Sequence, residues 1–233
     1  MSQILLIPKR GSTSRLLVAT SSQYFQLGSG PAPGTGPFSA GGFVWMVDAA
    51  ATYAILATGG ATAAVAGWRL YVNTNRRVLA GMADGSAAVV SPDTGTQMAL
   101  TAWNHLAIVR DTGVTPALLR CYLNGTEVST VNCSDVNNVT AGHATSRVIG
   151  TYTTSAGFAN ARVARMFYSD QILTGTDLAA MIAGAPTYAK MPATQKAKLV
   201  HFWNLDIAGN ALDSVTTNHG AETNGPIARA KGP

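Results

Sequence analysis

Leu100–Val128 reads LTAWNHLAIVRDTGVTPALLRCYLNGTEV, and this stretch decides the fold. Trp103 opens an apolar run that ends at Arg110-Asp111, and a second run closes in Tyr122-Leu123-Asn124-Gly125. Asn and Gly reach positive φ at little cost, so Asn124-Gly125 suits a tight antiparallel turn. The alternation before it puts Leu119, Cys121 and Leu123 on one face and Leu118, Arg120 and Tyr122 on the other. That is the pattern of a half-buried strand.

Runs of the same kind recur on both sides. They are expected at Ile4–Ile7, Arg15–Ala19, Tyr24–Leu27, Phe43–Asp48, Ala54–Thr58, Trp68–Asn73, Val78–Ala83 and Ala87–Ser91. Others follow at His105–Arg110, Leu118–Leu123, Thr126–Val131, Ser146–Gly150 and Ala161–Ser169. Many short strands without long helical patterns between them indicate an all-β protein, a two-sheet antiparallel β-sandwich. Gly28–Gly42, GSGPAPGTGPFSAGG, reads as a long surface loop because it is rich in Gly and Pro. One short helix is marked near residues 175–183. Thr174 and Asp177 have capping-box spacing, Leu178, Met181 and Ile182 follow at helical spacing, and Gly184 and Pro186 end it. A second helical turn is expected near Thr194–Leu199.

The chain has 233 residues, 47% of them hydrophobic and only 12% charged. This is enough for one sandwich with a full core, and the composition is the opposite of a disordered chain. Net charge is +5, but the basic residues are scattered and not interleaved with aromatics, which argues against a nucleic-acid groove. No apolar run approaches the roughly 20 residues of a membrane span, and MSQILLIPKRG has too short an apolar run for a signal peptide. Cys121 and Cys133 do not face each other across the expected hairpin, so two free thiols are expected. Neither has a partner at metal-ligand spacing.

Four passages resemble the laminin-G-like, concanavalin-A-like jelly rolls. They are Ser21–Gly28 (SSQYFQLG); Gly41–Asp48 (GGFVWMVD) with Ile55–Gly60 and Gly67–Asn73; Trp103 to Gly125; and Gly157–Leu178 (GFANARVARMFYSDQILTGTDL). Together they cover roughly Ser21 to Ile182, about two-thirds of the chain. The resemblance implies a jelly roll over residues 21–185, preceded by a strand or arm over 1–20 and followed by an extension over 186–233. His201–Asn218 (HFWNLDIAGNALDSVTTN) resembles a strand that such domains carry at their N-terminal end. Here it comes last. It either fills its usual slot in its own sandwich, as in a circular permutation, or pairs with a neighbouring subunit.

Little points to catalysis. Related jelly-roll glucanases need paired acids on one strand. This chain has 11 acids in no such pattern, and its two glutamates, Glu127 and Glu222, stand in unrelated contexts. His105, His143, His201 and His219 are scattered, and there is no Gly-x-Ser-x-Gly elbow, phosphate loop or dinucleotide fingerprint. No catalytic residue and no resident metal is expected. Some relatives implied by the resemblance hold calcium on a sandwich rim, and the oxygens available for that are Asp84, Asp93, Asp111, Asp135 and Asn137. Each is equally well explained as a turn residue. Sugar binding needs exposed aromatics. Trp45, Trp103 and Trp203 lie in strand patterns that imply burial. Trp68, after Gly67 at a strand start, has the best claim of the indoles to access, although burial in the core is the favoured reading; Tyr152 and Tyr188, in or beside loops, are the alternative candidates.

The favoured expectation is a non-enzymatic virion protein, made in a host cytoplasm: a bacteriophage head-decoration or accessory protein binding the major capsid protein or other virion proteins. It rests on a single sandwich with its own Met1, no export signal and little charge. Expected contacts are Lys9, Arg10, Phe38, Arg229 and Lys231, in or near the loop and terminal segments, with a homo-oligomer as a further option. The alternative is a lectin-like carbohydrate-binding module for cell-surface glycans.

Overall fold

The computed structural model describes residues 13–27, 32–59, 65–140, 148–151, 158–183, 187–205, 210–211, 213–216, 219–223, 228–231 and 233. In chain order the strands are β1 (Thr13–Leu17), β2 (Tyr24–Leu27), β3 (Phe38–Met46), β4 (Tyr53–Ala57), β5 (Gly67–Val72), β6 (Val78–Ala83), β7 (Ala88–Val90) and β8 (Asn104–Asp111). They continue as β9 (Leu118–Leu123), β10 (Thr126–Asn132), β11 (Val148–Ile149), β12 (Ala161–Ser169), β13 (His201–Trp203), β14 (Asn210–Ala211), β15 (Gly220–Thr223) and β16 (Ala228–Lys231). Two helices, α1 (Gly175–Ile182) and α2 (Ala193–Lys196), lie between β12 and β13.

The strands form two antiparallel sheets. The first runs β10-β9-β8-β3-β12-β1-β16, with β13 also paired to β12; the second runs β14-β15-β2-β11-β4-β5-β6-β7. Alternating side chains of both sheets meet in one core, including Phe38, Val44 and Met46 from β3, Leu106 and Ile108 from β8, and Trp68, Leu70 and Val72 from β5. The strand alternation read from Leu118–Leu123 holds. Leu119, Cys121 and Leu123 join this core, while Tyr122 faces away from it. Asn124 and Gly125 take φ of 52° and 81°, as the turn requires. Both cysteines are free and buried, and burial pushes the Cys121 thiol up to about 12.

The Gly/Pro-rich run is not a loop to its end. Its last residues, from Phe38, form the first half of β3, and Phe38 is fully buried in the core. Phe38 is therefore no contact residue. Gly41 serves close strand packing instead of a turn: a Cβ there would lie 2.2 Å from the Leu106 carbonyl oxygen. The expected strand at Ile4–Ile7 lies outside the described residues.

The late strand pairs within its own sandwich. β13 lies antiparallel to β12, with Phe202 opposite Phe167, while β15 adds to β2 and β16 to β1. A polar knot holds this return. The Asp213 carboxylate accepts from the Phe202 and Val215 N–H groups and from Thr216, and lies 2.6 Å from His201 Nδ1. Burial alone would raise the Asp213 carboxyl; these bonds outweigh it and hold it at about 2.

The capping box of α1 is present. Thr174 Oγ1 accepts from the Asp177 N–H, and the Asp177 side chain accepts from the Thr174 N–H. Leu178 and Met181 then pack, with Met191, Leu199 and Phe202, onto Ala107, Val109, Tyr122 and Phe167 on the outer face of the first sheet. Among the described residues this covers one end of that face only.

Candidate functional site

In a two-sheet sandwich only one face of each sheet reaches the core. Val44 and Met46 are fully buried there, so Phe43, Trp45 and Val47 face outward from β3. Ladder pairing sets Trp45 opposite Arg162 of β12, and Arg162 opposite Leu16 of β1. Trp103, just before β8, continues this row: its ring meets that of Trp45 edge-to-face, with centroids 5.9 Å apart. The loop carrying Trp103 is folded back by backbone bonds. Thr101, at φ 52°, donates its N–H to the Met46 carbonyl, and Asn104 Nδ2 donates to the carbonyls of Ala99 and Ala102.

The result is a half-open aromatic platform. Trp45, Trp103, Arg162 and Leu16 are each partly exposed, and Val47 is 42% exposed beside them. The Arg162 guanidinium lies 5.1 Å from the Trp45 ring centroid, within cation–π range. Beyond Val47 the chain enters a polar cluster. Asn160 Nδ2 donates to Asp48 at 2.6 Å, and Asp48 also accepts from the Tyr53 hydroxyl at 2.6 Å and from the Ala50 N–H. The Tyr53 bond leads in keeping the Asp48 carboxyl below its usual range, and burial with that bond pushes Tyr53 up to about 12.

Behind the platform, Phe43 meets His105 at 5.0 Å, and His105 stacks on Phe167 at 5.9 Å. His105 is 1% exposed, and burial pushes its imidazole down to about 4. It is neutral at physiological pH and joins the open end of the face to the covered end.

The site residues expected from sequence fall elsewhere. Trp68 is fully buried, packed against Phe38 at 5.2 Å and Tyr168 at 6.0 Å, because its strand turns it inward with Leu70 and Val72. Trp203 is buried as expected, whereas Trp45 and Trp103 are not. Tyr188 is half-buried in the helical cover, against Phe202 at 5.7 Å, with the Lys196 ammonium 5.4 Å from its ring. Tyr152, Lys9 and Arg10 lie outside the described residues; Arg229 and Lys231 lie on β16. The signal that would have found the platform was parity. Phe43, Trp45 and Val47 alternate with Val44 and Met46, and both sets cannot be inside.

Of the calcium candidates only Asp84 and Asn137 are bonded to each other among the described residues, and the Asp84, Asp93 and Asp111 carboxylates are otherwise engaged. Asp84 accepts from the N–H groups of Ser86, Ala87 and Asn137; Asp93 pairs with Arg77; Asp111 accepts from the Gly113 N–H and pairs with Arg120. The carbonyls of Gly34, Gly36, Val136 and Asn137, on two adjoining rim loops, all accept from the buried Arg110 guanidinium at 2.7–3.2 Å. A cation is thus already built into this rim, and these donors do not fit calcium. Among the described residues no three His, Cys, Asp or Glu side chains gather as a metal site, and no helix is long and apolar enough to cross a membrane. Glu127 pairs with Arg120 on the first sheet, while Glu222 lies on the second, so the two glutamates form no glycosidase pair.

A family model described as the Concanavalin A-like lectin/glucanases superfamily matches residues 19–179. No curated protein shows significant sequence similarity to the chain. Among solved structures, a Bacteroides ovatus protein whose name proposes carbohydrate binding is 12% identical, with a TM-score of 0.65. That match covers 95% of this chain but only 60% of the Bacteroides protein. The native heptameric SAP-like pentraxin of Limulus polyphemus is 14% identical with a TM-score of 0.56, over 94% of each chain. The binding domain of botulinum neurotoxin serotype G is 11% identical with a TM-score of 0.50, over 67% of this chain and 38% of that one. At these identities the likeness is one of fold.

Proposed function

The chain belongs to the concanavalin A-like lectin/glucanase superfamily, and from that premise we propose that it is a non-catalytic, lectin-like carbohydrate-binding domain. The observation that carries this reading is the half-open Trp45–Trp103 pair, held in register with Arg162 on the uncovered end of the first sheet. An indole offers a flat apolar face to the C–H groups of a pyranose ring, and adjacent polar groups orient the sugar hydroxyls. The Arg162 guanidinium is such a group, laid against Trp45. β3 and the loop bonded to it hold the indoles, so little ordering is needed on binding. The scattered acids support a binding role over a cleaving one.

The virion-decoration role expected from composition gains nothing from the family match or from the similar structures, and it stands behind the glycan reading. The test is a broad glycan panel with the full chain, followed by Trp45→Ala and Trp103→Ala. Saturable binding lost in both variants, with the fold intact, supports the reading. A blank panel, or binding indifferent to both substitutions, removes it.

A further inference from the structure

We infer that the glycan this platform takes is anionic, a sugar bearing a carboxylate or a sulfate, and that Arg162 receives the anion. This rests on the lectin-like reading and adds the class of ligand. Arg162 stands between Trp45 and Leu16 on the open sheet face, with its guanidinium laid over the indole. Among the described residues it makes no ion pair, whereas Arg77, Arg120 and Lys198 each hold a carboxylate. Its Nε is buried with no hydrogen-bond partner in the described structure. The two terminal nitrogens are not among the buried atoms and have no hydrogen bond or ion pair among the described residues, so they are the ones an incoming anion meets.

Asp48, three residues after Trp45 in the chain, is engaged elsewhere. Its oxygens are occupied by the neutral donors Tyr53, Asn160 and the Ala50 N–H. A guanidinium pinned against an aromatic ring is pre-organised to grip a planar carboxylate or a sulfate through two parallel bonds. A second arginine, Arg165, lies on the same side, 5.8 Å from the Phe43 ring centroid, but it is buried, so Arg162 is the one presented to a ligand. The chain's net charge of +5 favours approach of the same class of ligand.

The experiment is a panel of paired oligosaccharides, each neutral core beside its sialylated, uronic-acid and sulfated counterparts. Affinities of the full chain are measured at low and physiological salt. Anionic members should bind about ten-fold or more tighter than their neutral cores, and the advantage should shrink with salt. Arg162→Gln should bring anionic members down to the affinity of their neutral cores, with thermal unfolding unchanged, and Arg162→Lys should restore part of the difference. Preference for sialylated and uronic members identifies a carboxylate, preference for sulfated members a sulfate, and preference for both a requirement for charge alone; each supports the inference. Equal binding of neutral and anionic members, or an advantage that survives Arg162→Gln, overturns it and leaves the lectin-like reading standing. No binding anywhere on the panel removes both.

Discussion

The outer face of the first sheet has two ends built from the same kind of residue and put to different uses. At one end Val109, Tyr122 and Phe167 lie under α1, α2 and Phe202. At the other, Trp45 and Trp103 stay half-open, with Val47 exposed beside them. Both ends carry outward-pointing apolar side chains at alternate positions on the same strands. What separates them is later chain. Residues 173–202 return across one end only, held there by the Thr174–Asp177 capping box and the Lys198–Asp177 ion pair. An outward aromatic is thus a packing residue or a solvent-facing one according to what the chain lays over it.

The sharpest way to break this comparison is to truncate one aromatic at each end. Phe167→Ala, under the helices, should cost roughly 3–5 kcal/mol in denaturant unfolding, because it removes a fully buried ring and leaves a cavity. Trp45→Ala should cost roughly 1–2 kcal/mol and should abolish glycan binding. Similar losses for the two would mean that the open end is structural as well.

His105, at the seam between the ends, gives the next effect. Its folded-state pKa of about 4 lies below the unfolded value near 6.5. Between those values the unfolded chain binds the extra proton, so stability falls as pH drops from about 6.5 to 4, by roughly 3 kcal/mol at most. His105→Gln should flatten that part of the stability–pH curve; an unchanged slope would show that the ring is hydrated in solution.

A smaller effect on stability is expected from Trp103→Ala, about 1 kcal/mol or less by thermal unfolding, again with loss of binding. The smallest is expected from chelation. Because Arg110 holds the rim carbonyls, EDTA should change neither the melting temperature nor glycan affinity. Arg110→Ala, by contrast, should lower the melting temperature, since it removes a shared donor from four rim carbonyls, that of Val136 in a buried bond. A melting temperature that falls on adding EDTA would return calcium to the rim.

Much of this fold was legible residue by residue. Tyr24–Leu27, Val78–Ala83, Leu118–Leu123 and Ala161–Ser169 are strands with the bounds that pattern and turn residues imply. The Thr174 cap and the Asn124-Gly125 turn were equally plain, because their signals are local. Phe38 was hidden in a run of Gly and Pro, where Gly41 serves a close strand approach that only the neighbouring strand explains. The site was not legible by residue type. Trp68 and Trp45 both sit in apolar strands, and only the pairing of the sheets shows that one points in and the other out.

Sequence by itself determined the all-β class, the strands and turns, the short capped helix and the absence of a paired-acid pattern, since each depends on neighbours within a few positions. Only the tertiary structure decided where 201–231 pair, which end of the sheet the helices cover, that Arg110 fills the rim, and that Trp45, Trp103 and Arg162 form one row. Those outcomes depend on contacts between residues that are distant in the chain, such as Trp45 with Arg162 and Phe167 with Phe202. Local periodicity shows that a strand has two faces; it does not show what will lie against each of them.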